Sequence, residues 1–325
     1  MKKIVIDVNG ADAGLQPVVV GTARALKLGV EFFPVLVGPA QEIRSMLEAE
    51  GIEPAQYELV DATDAITNDD PPTCVFAGRE ESSLVKAYQR LKSDDSCGAM
   101  ISAGSTGALL VGSICRLGLL PGLKFPALAS ALPCSPDKMV CLVDCGANIE
   151  CTSADLVRFA KMGRVFSRCH CGIEDPRVGL MSVGREEGKG TALTKETYAK
   201  LKELPINFVG NLEGSDLVSG YADVVVCDGF SGNILLKSTE AAGKLAMEIV
   251  AQAGHGADPA LIEKIQMAIF KKLEFNSQGA ATFLGTKKPL VKMHGCANEN
   301  TTVAAIRHAL TLINSGFTAA MSQAL

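Results

Sequence analysis

The chain alternates two kinds of segment, and that alternation limits its fold more than any other feature. Short apolar runs of β-favouring residues stand at positions 4–8, 32–37, 98–102, 139–143, 178–183, 206–209, 222–227 and 290–293. Strands apolar on consecutive residues need cover on both faces, which a parallel sheet between helix layers provides. Segments of helical period lie between them, at 40–50, 80–92, 106–117, 153–167, 194–203 and 301–314. Several open with Ser, Thr, Asp or Asn, whose side chains accept the free amide hydrogens of a first turn. The order predicts an α/β protein, a three-layer αβα sandwich around a mostly parallel sheet. With 325 residues, no internal repeat and no low-complexity linker, the expectation is a single domain over 1–325, with Asn68-Asp69-Asp70-Pro71-Pro72 as a loop that marks off an N-terminal subregion.

One stretch breaks the alternation. After Asn233 a long helical pattern puts Leu235, Leu236, Leu245 and Ile249 on related faces and runs to Gly254-His255-Gly256. Asp258 and Pro259 then read as the cap and first residue of a second helix carrying Leu261, Ile262, Ile265, Ile269 and Phe270. The pattern predicts a protruding helical hairpin at about 233–273. Core and subunit packing is its plainest role; covering a long acyl chain or touching a membrane is the other.

Composition excludes several functions. The net charge is -5 and the 31 basic residues are scattered, so no nucleic-acid partner is expected. The apolar stretch 107–132 is broken by Arg116, Pro121, Lys124 and Pro126 and falls short of a spanning helix. Three apolar residues between Met1-Lys2-Lys3 and Asp7 are too few for a signal peptide, so a cytoplasmic location is expected. Eleven cysteines, among them Cys97, Cys141 and Cys227 inside strand-like runs, read as reduced thiols. Cys169 and Cys171 around His170, with Cys145 and Cys151 upstream, lack the spacing of a structural zinc site and read as packing residues. No metal or cofactor is expected.

Chemistry is concentrated in five turns that follow strands. They are Ser102-Ala103-Gly104-Ser105-Thr106-Gly107, Asp144-Cys145-Gly146-Ala147-Asn148, Gly184-Arg185-Glu186-Glu187-Gly188-Lys189-Gly190, Asp228-Gly229-Phe230-Ser231-Gly232-Asn233 and His294-Gly295-Cys296-Ala297-Asn298. In a parallel sheet such turns gather at the carboxyl edge, where ligands bind. Glycine admits close backbone approach, and the first amides of a helix point at an anion, so the turns suit phosphate. The 184–190 turn is one residue short of a nucleotide P-loop and ends in Gly190 where a magnesium-binding hydroxyl belongs. No GxGxxG follows the first strand, where Asp7-Val8-Asn9-Gly10-Ala11-Asp12 stands, and GxSxG and HExxH are absent. With no protein nucleophile in view, a substrate is expected to attack. Lys189, between glycines, is placed to meet an anion, Asn233 to cap the long helix or donate to an oxyanion, and His294 to bind substrate.

Taken in order, these turns resemble the bacterial acyl-ACP:phosphate acyltransferase (PlsX) family of phospholipid synthesis. The matching elements are Asp7 and Gly10 with Asp12, Ser82-Ser83-Leu84 after Arg79, the 102–109 and 144–148 segments, the 184–190 turn, Cys227 through Asn233, Gly279-Ala280, and Lys292-Met293-His294-Gly295. The resemblance implies transfer of a fatty acyl group from acyl carrier protein to inorganic phosphate, giving acyl-phosphate for a membrane-embedded glycerol-3-phosphate acyltransferase. It implies a homodimer, the fold shared by phosphotransacetylases and isocitrate/isopropylmalate dehydrogenases, and a peripheral contact with the inner face of the cell membrane. The substrates are then inorganic phosphate and acyl-ACP, without a cofactor. Lys189 and Asn233 are the expected catalytic residues. Asp7, Gly10, Arg79, Ser82, Ser102, Gly104, Ser105, Thr106, Gly107, Asp144, Gly146, Asn148, Asp228, Gly229 and His294 are the expected substrate-binding ones. The chain departs from the family pattern at Val8-Asn9-Gly10-Ala11-Asp12, at Ser105, and in a shorter hairpin around Gly254. Two other readings of the same residues are a non-catalytic acyl-carrier or membrane scaffold and a dehydrogenase of the same fold, though paired Asp residues at i, i+4 spacing for magnesium are not found in the second half.

Overall fold

The computed structural model describes residues 1–135, 138–254, 256, 258–273 and 280–325, with backbone alone for 135 and 270–273. His255 and Gly279 lie outside the described residues, as does the side chain of Phe270. The chain divides into two compact units, Met1–Leu128 with residues 279–325, and Ala129–Gln278.

In the first unit β1 (Lys3–Asp7), β2 (Phe33–Gly38), β3 (Glu58–Asp61) and β4 (Cys97–Ser102) are parallel, in the order β3-β2-β1-β4. The returning chain adds β11 (Leu290–Lys292) parallel to β4 and β10 (Ala281–Leu284) antiparallel to β11. Register pairs Ser102 with Asp7 on one side and with Lys292 on the other, so three polar residues finish adjacent strands side by side. The helices are α1 (Gln16–Lys27), α2 (Ala40–Ala49), α3 (Ser83–Ser93), α4 (Thr106–Gly112), α9 (Glu299–Asn314) and α10 (Phe317–Ala324). Helix α3 starts where the Ser82 hydroxyl accepts the Val85 amide, and buries Leu84, Val85, Ala87, Tyr88 and Leu91. Leu84, Val85 and Leu91 each contribute roughly 1.5–3 kcal/mol when fully buried. Gly112 leaves the space that the Tyr88 ring fills, and the Tyr88 hydroxyl donates to the Leu109 carbonyl at 2.7 Å.

In the second unit the order is β5-β6-β9-β7-β8, with β5 (Ala127–Ser135) antiparallel to β6 (Lys138–Val143) and the pairs among β6, β7 (Val178–Met181), β8 (Phe208–Leu212) and β9 (Val224–Val226) parallel. Helix α5 (Ser153–Cys171) opens on a Thr152/Asp155 capping box and stops at Gly172, whose φ of 72° suits glycine. Gly163 lets α5 lie close on Val143 and Val224. Helix α6 (Ala192–Lys202) follows β7, and α7 (Gly229–Ala253) and α8 (Pro259–Leu273) form the hairpin. Gly254 leaves room for the Ile262 side chain between them, while Leu245, Ile249, Leu261, Ile265 and Met267 remain exposed. Among the described residues no helix is long and apolar enough to cross a membrane.

The α/β class and mostly parallel pairing agree with the sequence. Strands β3, β5 and β10 and helices α1 and α10 were not expected. Helix α4 ends at Gly112 and passes into a wider π-type turn over Ser113–Leu117, so the helical period there exceeds the regular helix. Helix α7 begins four residues before Asn233, because Asp228 caps it by accepting the Ser231 amide at 2.8 Å.

Candidate functional site

At the carboxyl edge of the first unit, Ser102 donates to the Asp7 carboxylate at 2.7 Å and accepts the Gly104 amide at 3.0 Å. This fixes the turn after β4 against the end of β1. Gly10, with a φ of 93°, lies so near that a Cβ there would stand 2.5 Å from the Gly104 Cα. Asp7 is 2% exposed, and burial pushes its carboxyl up to about 6, tempered by the Ser83 and Ser102 hydroxyls and the Asn9 amide. Lys292 donates to the Ala103 and Met293 carbonyls, tying β11 to the same turn. Helix α4 then starts at half-exposed Thr106 with no side-chain cap from Ser105, which leaves its first amides without that acceptor. Gly107 packs on Pro72 of the acidic loop.

Arg79 is committed within that loop. Its guanidinium donates to Asp64 at 2.5 and 2.9 Å, to Asp70 at 2.8 Å and to the Ala65 carbonyl at 2.7 Å. Both carboxyls are held below their usual range, Asp64 chiefly by Arg79 and Asp70 chiefly by Thr67. Ser82 is fully buried as the α3 cap. The structure thus places Arg79 and Ser82 as the frame of the 64–83 loop.

In the second unit the peptide bond from Val143 to Asp144 is cis, and the Asp144 carboxylate accepts the amides of Gly146, Ala147 and Asn148 at 2.9 Å each. The Asn148 side chain donates to it as well, at 2.5 Å. An internal carboxylate therefore fills the nest that the sequence offered to phosphate, and the turn becomes a rigid wall. Helix α7 starts against that wall: the Gly229 amide donates to the Asn148 carbonyl at 2.7 Å, and a Cβ on Gly232 would collide with the Asp144 carbonyl oxygen. Exposed Asn233 stands beside Gly146, 3.5 Å from where a Cβ would be. The 184–190 loop is anchored by Arg185 on Asp216 and by the Asn211 amide on the Glu186 carbonyl at 2.9 Å. Gly190, with a φ of 103°, sits against the Ser182 and Thr194 hydroxyls, where a side chain has no room. Lys189 is exposed at the tip, and among the described residues it has no ion-pair partner.

Comparison with known proteins decides what family builds these turns. Residues 2–320 match the family described as fatty acid synthesis protein. A phosphate acyltransferase of Bacillus cereus is 36% identical over 316 residues, covering 96% of this chain and 94% of that protein. The chain belongs to the fatty acid synthesis protein family. Among solved structures, a phosphotransacetylase from Streptococcus pyogenes matches with a TM-score of 0.60 at 16% identity, covering 96% of this chain and 94% of that one. A branched-chain phosphotransacylase from Enterococcus faecalis matches with a TM-score of 0.60 at 18% identity, covering 96% and 99%. At such identities they establish the fold.

Within this family member the first unit brings together Asp7, Gly10, Ser102, Gly104, Ser105, Thr106 and Gly107, and the second brings together Asp144, Gly146, Asn148, Asp228, Gly229 and Asn233. Lys189 stands on its own loop, and half-buried His294 follows β11. Sequence reasoning named Ser83, Asp12, Lys292 and Cys296 within its motifs but gave them no role. Lys292 is the single charge in an apolar run, and its position at the end of the run was the available signal. Among the described residues no three His, Cys, Asp or Glu side chains stand as metal ligands do.

Proposed function

We propose that this chain is a phosphate acyltransferase that moves a fatty acyl group from acyl carrier protein to inorganic phosphate. The observation that carries the reading is the 36% identity to a phosphate acyltransferase over 96% of the chain. The glycine-built turns supply the chemical support.

Phosphate oxygen attacks the thioester carbon and the carrier thiol leaves. A thiol of pKa near ~8.5 departs without a strong acid, so catalysis reduces to holding the reactants and stabilising charge. Positioning of that kind is worth roughly 7–11 kcal/mol. The uncapped amides at Thr106 and Gly107 and the hydroxyl of Ser105 are assigned to phosphate. The Lys189 ammonium is assigned to neutralising charge, and the Asn233 amide to the oxyanion, at roughly 3–4 kcal/mol for one well-placed donor. The Asp144 turn and the Asp228 cap hold Asn233 in place.

Acyl carrier protein as donor, a homodimer built through the exposed apolar residues of the α7–α8 hairpin, a cytoplasmic location and a membrane acyltransferase as the consumer of the product belong to the same proposal. The test is consumption of acyl carrier thioester with and without phosphate, in wild type and in Lys189→Ala and Asn233→Ala. Turnover should need phosphate and fall by at least about a hundredfold in each variant, with melting temperature unchanged. Phosphate-independent turnover, or near-normal rates in both variants, would sink the assignment.

A further inference from the structure

The turn after β11 carries two reactive groups that acyl transfer does not use together. Of the eleven cysteines, one is exposed, Cys296. The others are buried or half-buried, and burial pushes the Cys97 thiol up to about 11 and those of Cys151 and Cys171 up to about 12. Thiolate chemistry is therefore suppressed across the interior.

Cys296 has a base beside it. Its sulfur lies 2.9 Å from the His294 Nδ1, and its own backbone amide donates to that same Nδ1 at 3.2 Å. A backbone amide can only donate, so Nδ1 holds the lone pair and the ring proton sits on Nε2. The thiol lies within reach of that nitrogen, and transfer of its proton there leaves a thiolate beside an imidazolium. The pair is held in register: the Asp12 amide donates to the Gly295 carbonyl at 2.8 Å, the Ala297 amide to the His294 carbonyl at 3.0 Å, and Asn298 caps α9 directly afterwards. Gly295 fits this turn because a Cβ there would lie 2.8 Å from the Asp12 carboxylate.

We infer that Cys296, activated by His294, is a covalent modification site for hydrogen peroxide and other small electrophilic oxidants. The sulfur attacks one peroxide oxygen, the oxygen–oxygen bond breaks, and the departing hydroxide takes the proton that His294 had accepted. The products are Cys296 sulfenic acid and water; sulfur loses two electrons and peroxide gains them. A small thiol then condenses with the sulfenic acid, releasing water, and a second thiol reduces the mixed disulfide, which restores Cys296.

The test uses the full folded chain and needs no substrate, so it stands apart from the acyltransferase reading. The protein is treated with limiting hydrogen peroxide, trapped with dimedone and mapped by peptide mass spectrometry. Cys296 should be labelled before any other cysteine, and Cys296→Ser should remove that first label. In parallel, iodoacetamide alkylation of Cys296 at pH 7 should slow about tenfold in His294→Gln, which lacks the ring nitrogen beside the sulfur. First labelling at Cys74, Cys115 or Cys169, or an unchanged alkylation rate in a His294→Gln variant that melts normally, would overturn the inference.

Discussion

Asp7 ends the first strand with a carboxyl that burial pushes up to about 6. The folded chain thus binds this proton more tightly than the unfolded chain, whose carboxyl titrates near 3.8. The stabilisation is full below the unfolded value and is lost as pH rises through the folded one, by up to about 3 kcal/mol. Asp7→Asn keeps the shape and removes the charge. Its urea midpoint should exceed wild type at pH 7, by a difference that shrinks to nothing near pH 4; equal midpoints at pH 7 would show that the carboxylate pays no desolvation cost. Gly232 sets a constraint of a different kind, because its missing side chain is occupied by the Asp144 carbonyl oxygen. Gly232→Ala should cost about 1–3 kcal/mol by overpacking and displace Asn233, read as lower melting temperature with lower turnover. The glycines were legible as turn formers, but what each one makes room for lies far away in sequence and could not be read there.

Helix α7 illustrates what element-level patterns leave open. Both Asp228 and Asn233 are residue types that cap helices, and local sequence does not choose between them. The choice is made by the Asn148 carbonyl, which receives the Gly229 amide and fixes the helix start at that point. Asp228→Ala removes the side-chain acceptor of the Ser231 amide and hydroxyl, at 2.8 and 2.9 Å. It should lower stability by about 1 kcal/mol in chemical unfolding, and no loss would mean that the helix start rests on the Asn148 contact alone. The buried parallel strands were legible because both faces are apolar, as in β1, β4 and β9. The missed ones lack that signature. Strand β3 is half-exposed at its unit's edge, β5 contains Pro133 and pairs antiparallel, and β10 has Thr282 inside its short run and pairs antiparallel. The Arg79 loop was legible as chemistry, but its Asp64 and Asp70 partners were not, since a guanidinium reads the same in sequence whether its carboxylate is a neighbour in space or a ligand.

Over the whole chain, buried Asp7 and half-buried His170 respond to pH in opposite directions. Burial pushes the His170 imidazole down from 6.5 to about 4, so the unfolded chain keeps that proton up to 6.5 while the folded chain releases it. The His170 contribution is full above the unfolded value and is lost as pH falls toward 4, the reverse of Asp7. Each spans a little over two pH units, or about 3 kcal/mol, and over roughly the same interval, so the two slopes nearly cancel. Below that interval the ion-paired carboxylates become protonated and stability falls: Asp64 and Asp216 are held low chiefly by Arg79 and Arg185, and Asp223 is held low against its burial by Arg177. Wild type should therefore show a nearly level urea midpoint between pH 4.5 and 6.5 and a decline beneath pH 4, these limits following from roughly two units of opposed shift. Removing one partner should unmask the other. Asp7→Asn should grow more stable as pH rises across that window, and His170→Gln should grow less stable. A level profile in both variants would mean that neither group carries its proton as burial dictates, and a steep profile in wild type would mean that a third buried group governs the window.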